Sequence, residues 1–485
     1  MNFHIIKRTL GWILLFEAIF FALPAVTAII YWEEAFFSFL ASAFICVIVG
    51  MACILGKPKN TKIYAKEGFV IVALSWIVMS LFGALPFWLS GEIPSYVDAL
   101  FETVSGFTTT GATILPSGAA IEAMPKSLLM WRSFSHWVGG MGVLVFIMAF
   151  LPLSGAQNLH LMRAESPGPT VSKLVPKMRT TALILYLIYF AMTLLQFILL
   201  LFGKMPVFDA LTTAFATAGT GGFAIKGDSF ASYSTYSQIV VTVFMVLFSI
   251  NFNSYYLLCR GRFKDALNAE VKTFLIIVLA AISMITLDLC LTESAVYEYS
   301  VGEALKHSAF SVASVVSTTG FATANFDLWP AFSKTILVTL MFIGACAGST
   351  GGGIKVSRIL ILSKGAKHEV NRLIHPKQVK KIMIDKRVVE HEVVRSVNAY
   401  IIAYALIFII SLLIISWDDK DLVTNFTSVV TTLNNVGPGL GLVGPDGNFA
   451  SFSVLSKLVY IFNMLVGRLE VFPMLVLFSP ATWKK

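Results

Sequence analysis

Apolar residues gather into runs near the length a membrane-spanning helix needs: 9–31, 35–55, 67–89, 126–152, 180–202, 235–258, 272–291, 394–416 and 453–479. A tenth run, 333–363, is interrupted by glycines. Between consecutive runs lie segments too apolar for solvated loops and too short to cross: 95–113, 206–223, 303–321 and 421–440. A helix of about 12 to 14 residues covers roughly 20 Å, half to two-thirds of the hydrocarbon. These segments read as re-entrant helices, and irregular backbone at their tips is tolerated only beside a water-filled cavity or buried in protein. The pattern predicts an all-α membrane protein of ten spans.

Composition agrees. Hydrophobic residues are 57% of 485 positions, charged ones 13%, and the mean hydropathy is +0.80, whereas soluble chains carry about a quarter charged residues. The net charge of +9 would suit nucleic acid, but its distribution indicates a membrane. With the amino terminus inside, segments 1–8, 56–66, 153–179, 259–272, 355–395 and the tail Lys484–Lys485 hold 27 of the 36 Lys and Arg. Seven lie outside, and Arg132 and Arg468 fall within spans. The positive-inside rule therefore sets both termini in the cytoplasm, with the bilayer and not nucleic acid as the surrounding partner. The run 9–31 follows Lys7 and Arg8 as in a signal peptide, but it is long enough to cross and is read as a span. The five cysteines stand singly and are read as small hydrophobes.

The four re-entrant segments superpose without gaps, each on one glycine. DALFETVSGFTTTGAT aligns on Gly111, DALTTAFATAGTGGFA on Gly222, HSAFSVASVVSTTGFA on Gly320 and TNFTSVVTTLNNVGPG on Gly437. Two places earlier stand Thr109, Thr220, Thr318 and Asn435; one place earlier, Thr110, Gly221, Thr319 and Val436. Any one such run is an ordinary turn, but four at matched topological positions define a repeat of helix, pore helix, filter and helix. The units are expected at 61–155, 156–262, 263–365 and 366–485, around one central pore, after an extra helix pair in 1–60. Potassium leaves water only for a ring of oxygens, which backbone carbonyls of four converging loops can supply. Glycine permits positive φ and leaves the axis clear. Each pore helix would point the negative end of its dipole at the mid-membrane cavity. Asp98, Glu102, Asp209, Glu303 and Asp421 are expected near the outer helix ends, complementing the amino termini and attracting cations.

These residues resemble the Trk, Ktr and HKT superfamily of potassium transporters over essentially the whole chain, closest to its TrkH-type bacterial subunits. The resemblance rests on the filter glycine in each of four pseudo-repeats and on the extra pair of spans in 9–55. It implies a potassium-selective, channel-like uptake transporter of the bacterial inner membrane. Glycine at the first filter position implies potassium, with rubidium also passing. Potassium is then a transported substrate, and no organic cofactor is expected in this chain. The resemblance further implies a homodimer gated by a TrkA-type cytosolic nucleotide-binding ring.

Two features are gate candidates. Gly344 to Lys355, GACAGSTGGGIK, breaks the tenth run. A phosphate-binding loop needs Gly-Lys-Ser/Thr in succession, and Ile354 separates Gly353 from Lys355. The glycines would unwind the helix beneath the filter or kink it for close packing. The resemblance favours a movable intramembrane gate with Gly348, Ser349, Thr350, Gly351, Gly352 and Gly353 at its tip. Arg468 lies within the last run, where a charge costs about 2.5 to 3.5 kcal/mol on insertion scales. It must face water or pair with an acid such as Glu470; in the resembling proteins the matching Arg faces the pore. Arg132 and His136, four apart on one helix face, read as structural hydrogen-bond partners. A cation-coupled (sodium or proton) secondary transporter is the alternative, although its repeats are usually inverted rather than parallel and fourfold. An enzyme is not expected: the seven histidines show no metal-like spacing.

Overall fold

The structure is a computed structural model and describes residues 1–55, 65–142, 178–292, 299–376, 381–385 and 387–483. Nearly all of the loop 56–66, the end of the run 126–152, nearly all of the basic loop 153–179, and the tail Lys484–Lys485 lie outside these residues. Among the described residues, six helices are long and apolar enough to cross a membrane: Phe3–Tyr31, Ala35–Ile54, Lys66–Leu89, Thr180–Phe202, Ala269–Leu291 and His391–Asp418. A bent pair, Thr235–Phe248 with Phe252–Cys259, makes a seventh if counted as one span. The chain is therefore a mostly helical, multi-pass membrane protein.

As far as they are described, the expected second helices are shorter than a bilayer, and three of them stop at a break. Lys126–Met141 ends at Gly142, with φ +85°, where the described stretch closes. Thr235–Phe248 turns by 93° at Ser249–Asn251, and the Asn251 side chain caps the next helix. Ala331–Ile343 gives way to the irregular residues 344–355 before Val356–Ile374. Val454–Arg468 stops at Leu469–Val471 before Phe472–Phe478, with Pro473 in its first turn, where its missing N–H is harmless. The hydropathy pattern predicts one interruption, in the third unit, and puts Arg468 within an unbroken run. Arg468 instead ends its helix at another such break.

Four short helices separate the long ones: Tyr96–Phe107, Val207–Gly219, Val301–Val316 and Leu422–Asn434. Small polar residues start three of them. Ser95 accepts from the Asp98 amide, Ser300 forms a reciprocal capping box with Glu303, and Asp421 accepts from the Thr424 amide at 3.0 Å. The amino-terminal helices Phe3–Phe20 and Ala35–Ile54 pack where Gly11 and Gly50 let the backbones close up. The apolar core is not one mass per unit. One cluster joins the amino-terminal pair, Phe101 and Phe107 to Leu433, Tyr460 and Met464 near the other end of the chain.

The polar segment 364–395 is structured where described. Helix Val356–Ile374 runs through its first part, and a small antiparallel hairpin pairs Met383 with Val388 and Ile384 with Arg387. Asp385 at its tip accepts from the Ala269 amide at 2.9 Å, capping the start of Ala269–Leu291.

Candidate functional site

All four short helices end in the same way. Thr109, Thr220, Thr318 and Asn435 adopt left-handed backbone, with φ of 57°, 56°, 60° and 56°. The amide of the next residue turns back to the helix: Thr110 to Ser105 and Gly221 to Ala216 at 2.9 Å, Thr319 to Ser314 at 2.8 Å and Val436 to Thr431 at 2.9 Å. This is the Schellman ending, whose left-handed residue is usually glycine. Thr or Asn there costs roughly 1 to 3 kcal/mol, a strain that marks functional sites more often than plain turns.

The next residue but one is the aligned glycine in every case. Gly111, Gly222, Gly320 and Gly437 have φ of 77°, 76°, 89° and 96°. A β-carbon on Gly111 would collide with the carbonyl oxygen of Gly221, and one on Gly222 with that of Thr319. On Gly320 it would meet the Val436 carbonyl, and on Gly437 the Thr110 carbonyl. Each glycine thus faces the peptide oxygen one place before the next unit's glycine, and the fourth returns to the first. The four segments close a ring, and one cavity is lined by all four glycines.

Threonine hydroxyls around this ring are largely engaged in anchoring. Thr110 shares a bond of 2.8 Å with Thr108 and accepts from Asn435 Nδ2 at 2.8 Å. Thr319 is bonded to Ser317 at 2.6 Å, and Thr220 to the Gly219 carbonyl. Thr318 Oγ1 accepts from the Gly352 amide at 2.6 Å. His136 binds the Gly106 carbonyl through Nδ1 at 2.7 Å and accepts the Phe223 amide through Nε2 at 3.2 Å. Both bonds together require the neutral ring with its proton on Nδ1. It therefore holds the first helix end against the second loop, in the structural role expected.

The acids divide differently from expectation. Glu102 is buried mid-helix, 2.7 Å from Arg132 Nε, and accepts the Ile114 amide at 2.9 Å. It is not an outer-end charge attracting cations, because its charge is taken up by Arg132 and the loop after Gly111. Arg132 also stacks on Phe223 and donates to the Ala224 carbonyl at 3.2 Å, so one ion pair fixes two loops. Asp98 pairs with Lys457 at 2.8 Å, Asp209 accepts from the Tyr233 hydroxyl at 2.9 Å, and Glu303 and Asp421 cap their helices.

Residues 344–355 lie directly against the helix-ending side of the ring. Gly352 bonds to Thr318, Gly353 donates to the Asn434 carbonyl at 3.0 Å, and Gly351 packs on the Ser317 carbonyl. The segment is also stitched to the second unit's break. Cys346 donates to Ser249 at 3.0 Å, the Phe252 amide to Gly348 at 3.1 Å, and the Thr350 hydroxyl to Phe248 at 3.2 Å. The Ser349 hydroxyl turns inward to Cys346. Buried Lys355 donates to Gly351, and Glu270 accepts the Ala347 amide at 2.6 Å and the Ser357 amide at 3.2 Å. Glu270 stands alone in the sequence beside an apolar run, with no spacing to announce it, and Lys355 was weighed there only as a lysine misplaced for a phosphate-binding loop.

Arg468 reaches the same place from the fourth unit. Its guanidinium donates to Thr350 O at 2.8 Å, to the carbonyls of Gly139 and Gly140, the latter at 2.7 Å, and to Thr109 Oγ1 at 3.4 Å. It thereby joins the segment 344–355, the first unit's helix end and the strained residue of the first loop. Glu470, the acid considered as its partner, forms an ion pair with Arg358.

Comparison with known proteins adds the lineage. The family described as TrkH, cation transport protein, matches residues 35–485. The Trk system potassium uptake protein TrkH of Salmonella typhimurium is 37% identical over 494 residues, covering all of both chains. Its Halomonas elongata counterpart is 34% identical over 495 residues, again covering all of both. The crystal structure of the potassium transporter TrkH from Vibrio parahaemolyticus superposes with a TM-score of 0.90 at 31% identity, covering all of both chains. The chain belongs to the TrkH family of cation transport proteins.

Proposed function

We propose that this protein is a potassium-selective, channel-like uptake transporter, in which potassium passes through the ring of peptide oxygens around Gly111, Gly222, Gly320 and Gly437. The observation that carries this reading is the cyclic approach of each glycine to the carbonyl before the next. Four loops around one axis can replace a hydration shell, and the carboxyl ends of four short helices add negative potential on the side where the cation waits. The arrangement corresponds to four pore units, 61–155, 156–262, 263–365 and 366–485, behind an extra helix pair in 1–60. Ten spans result if the broken second helices each count as one. Rubidium is expected to pass with potassium, and no organic cofactor is required.

Residues 344–355 act as the gate, since they close the helix-ending side of the ring, and Arg468 holds the gate to the first unit. A cation about 8 Å from the guanidinium would feel roughly 2 kcal/mol of repulsion at an effective dielectric of 20, which slows passage without forbidding it. The protein sits in the bacterial inner membrane with both termini cytoplasmic, as a homodimer under a TrkA-type nucleotide-binding ring; these features follow from the family resemblance and the charge distribution. The test is ion flux through the purified chain in proteoliposomes. The reversal potential should follow the potassium gradient alone and discriminate against sodium. A reversal potential that moves with an imposed sodium or proton gradient would instead indicate coupled transport.

A further inference from the structure

The deepest unexplained group lies outside the ring. Glu17 stands at the midpoint of the first membrane-crossing helix, Phe3–Tyr31, and its side chain is fully buried. Among the described residues, neither carboxyl oxygen has a hydrogen-bond partner. An ionised carboxylate buried in this way, with no partner among the described residues, would carry a desolvation cost among the largest a side chain can meet. A protonated carboxyl is a neutral group of ordinary polarity, so burial of this kind selects the acid form.

Its surroundings tie it to the conduction site. A β-carbon on Gly83 would crowd Glu17 Oε1, Phe107 and Thr103 together, so these groups meet at Gly83. Gly83 is the last residue of the helix Ala65–Gly83, and Phe107 the last of the first short helix, four places before Gly111. The Gly83 carbonyl also accepts the Trp131 indole at 2.9 Å. Among the described residues, the titratable groups that feel its charge include the Cys46 thiol of the second helix and the Tyr96 phenol, which donates to the Leu81 carbonyl at 2.8 Å. Neither is a base that could pair with a carboxylate.

We infer that Glu17 is an intramembrane proton-binding site, uncharged in the working protein, whose ionisation would displace the first short helix and so lower potassium flux. The first clause stands on burial and geometry; the second rests on the pathway reading above. The step is a simple acid–base equilibrium, in which the carboxyl O–H bond breaks and the proton leaves to water.

Infrared spectroscopy of the full reconstituted chain tests the site without reference to transport. The wild-type protein should show a protonated-carboxyl band that persists at about pH 7, far above the ordinary glutamate range, and Glu17→Gln should remove it. A band unchanged in Glu17→Gln, or absent from the wild type, overturns the assignment. Glu17→Met serves the same comparison should the amide fail to fold. Potassium flux is then compared at about pH 7 and about pH 9, since buried carboxyls can ionise that late. Wild-type flux should fall at least about threefold, while Glu17→Gln stays flat. Equal profiles overturn the coupling. A Glu17 band in a protein without potassium flux would uphold the proton site and overturn the pathway reading instead.

Discussion

At the residue scale the ring depends on four absent side chains. Gly111→Ser would place a β-carbon on the Gly221 carbonyl oxygen, so the first loop must retreat and the ring must open. The potassium-to-sodium permeability ratio in proteoliposomes is expected to fall by about tenfold, equivalent to about 1.4 kcal/mol. An unchanged ratio would remove carbonyl spacing as the source of selectivity. His136 offers a second test, because its Nε2 is the acceptor for the buried Phe223 amide. His136→Ala leaves that amide unpaired at a cost of about 1 to 3 kcal/mol. Denaturation should shift by that amount, with selectivity loosened in parallel. The glycines were legible because conformation and chemistry both forbid a side chain at those places. Glu102 was misplaced because an acid near a helix start is read as a cap, and the sequence distance to Arg132, 30 residues, conceals their ion pair.

At the element scale the short helices and long spans follow the hydropathy pattern closely, while the breaks do not. Gly344–Lys355 was visible through its glycines, but Ser249–Asn251 and Leu469–Val471 contain none. Their helix interruptions come from tertiary demands. The first is bonded to Cys346, Gly348 and Thr350, and the second brings Arg468 to the carbonyls of Gly139, Gly140 and Thr350. The proposed gate is consequently held by contacts from several of the proposed units. Arg468→Ala should raise potassium flux several-fold, since it removes both the hold on Thr350 and the repelling charge; a protein of normal fold with unchanged flux would rule Arg468 out as a barrier. Deleting 348–353 should leave a constitutively conducting path, measured as flux independent of any regulatory partner. Loss of flux in a stable protein would make the segment scaffold.

At the scale of the whole molecule, one chain must close a circle, and the seam between its first and fourth units has no covalent connection nearby. That seam is bonded with care. Asn435 Nδ2 donates to Thr110 Oγ1 at 2.8 Å, Lys457 pairs with Asp98 at 2.8 Å, and the Phe449 amide donates to Thr113 at 2.9 Å. Phe101 packs against both Phe449 and Tyr460. The fourth segment departs most from the repeat, with Asn435 and Val436 where the first has Thr109 and Thr110, and the departure has a use here. Asparagine supplies a donor long enough to reach the first loop, and its other bond goes to the Met464 carbonyl at 3.0 Å. Asn435→Ala should therefore weaken ring closure specifically. Both buried acceptors lose one donor while keeping another bond, Thr110 to Thr108 and Met464 within its helix, so the loss is about 0.5 to 1.5 kcal/mol each. If the ring is a single closed device, thermal unfolding in detergent should shift down and sodium should begin to pass in the same variant. Asn435→Asp, which keeps the shape but has no donor when ionised, should share the selectivity defect. A variant that loses stability while keeping full potassium selectivity would show that the seam holds the fold together without setting the ring.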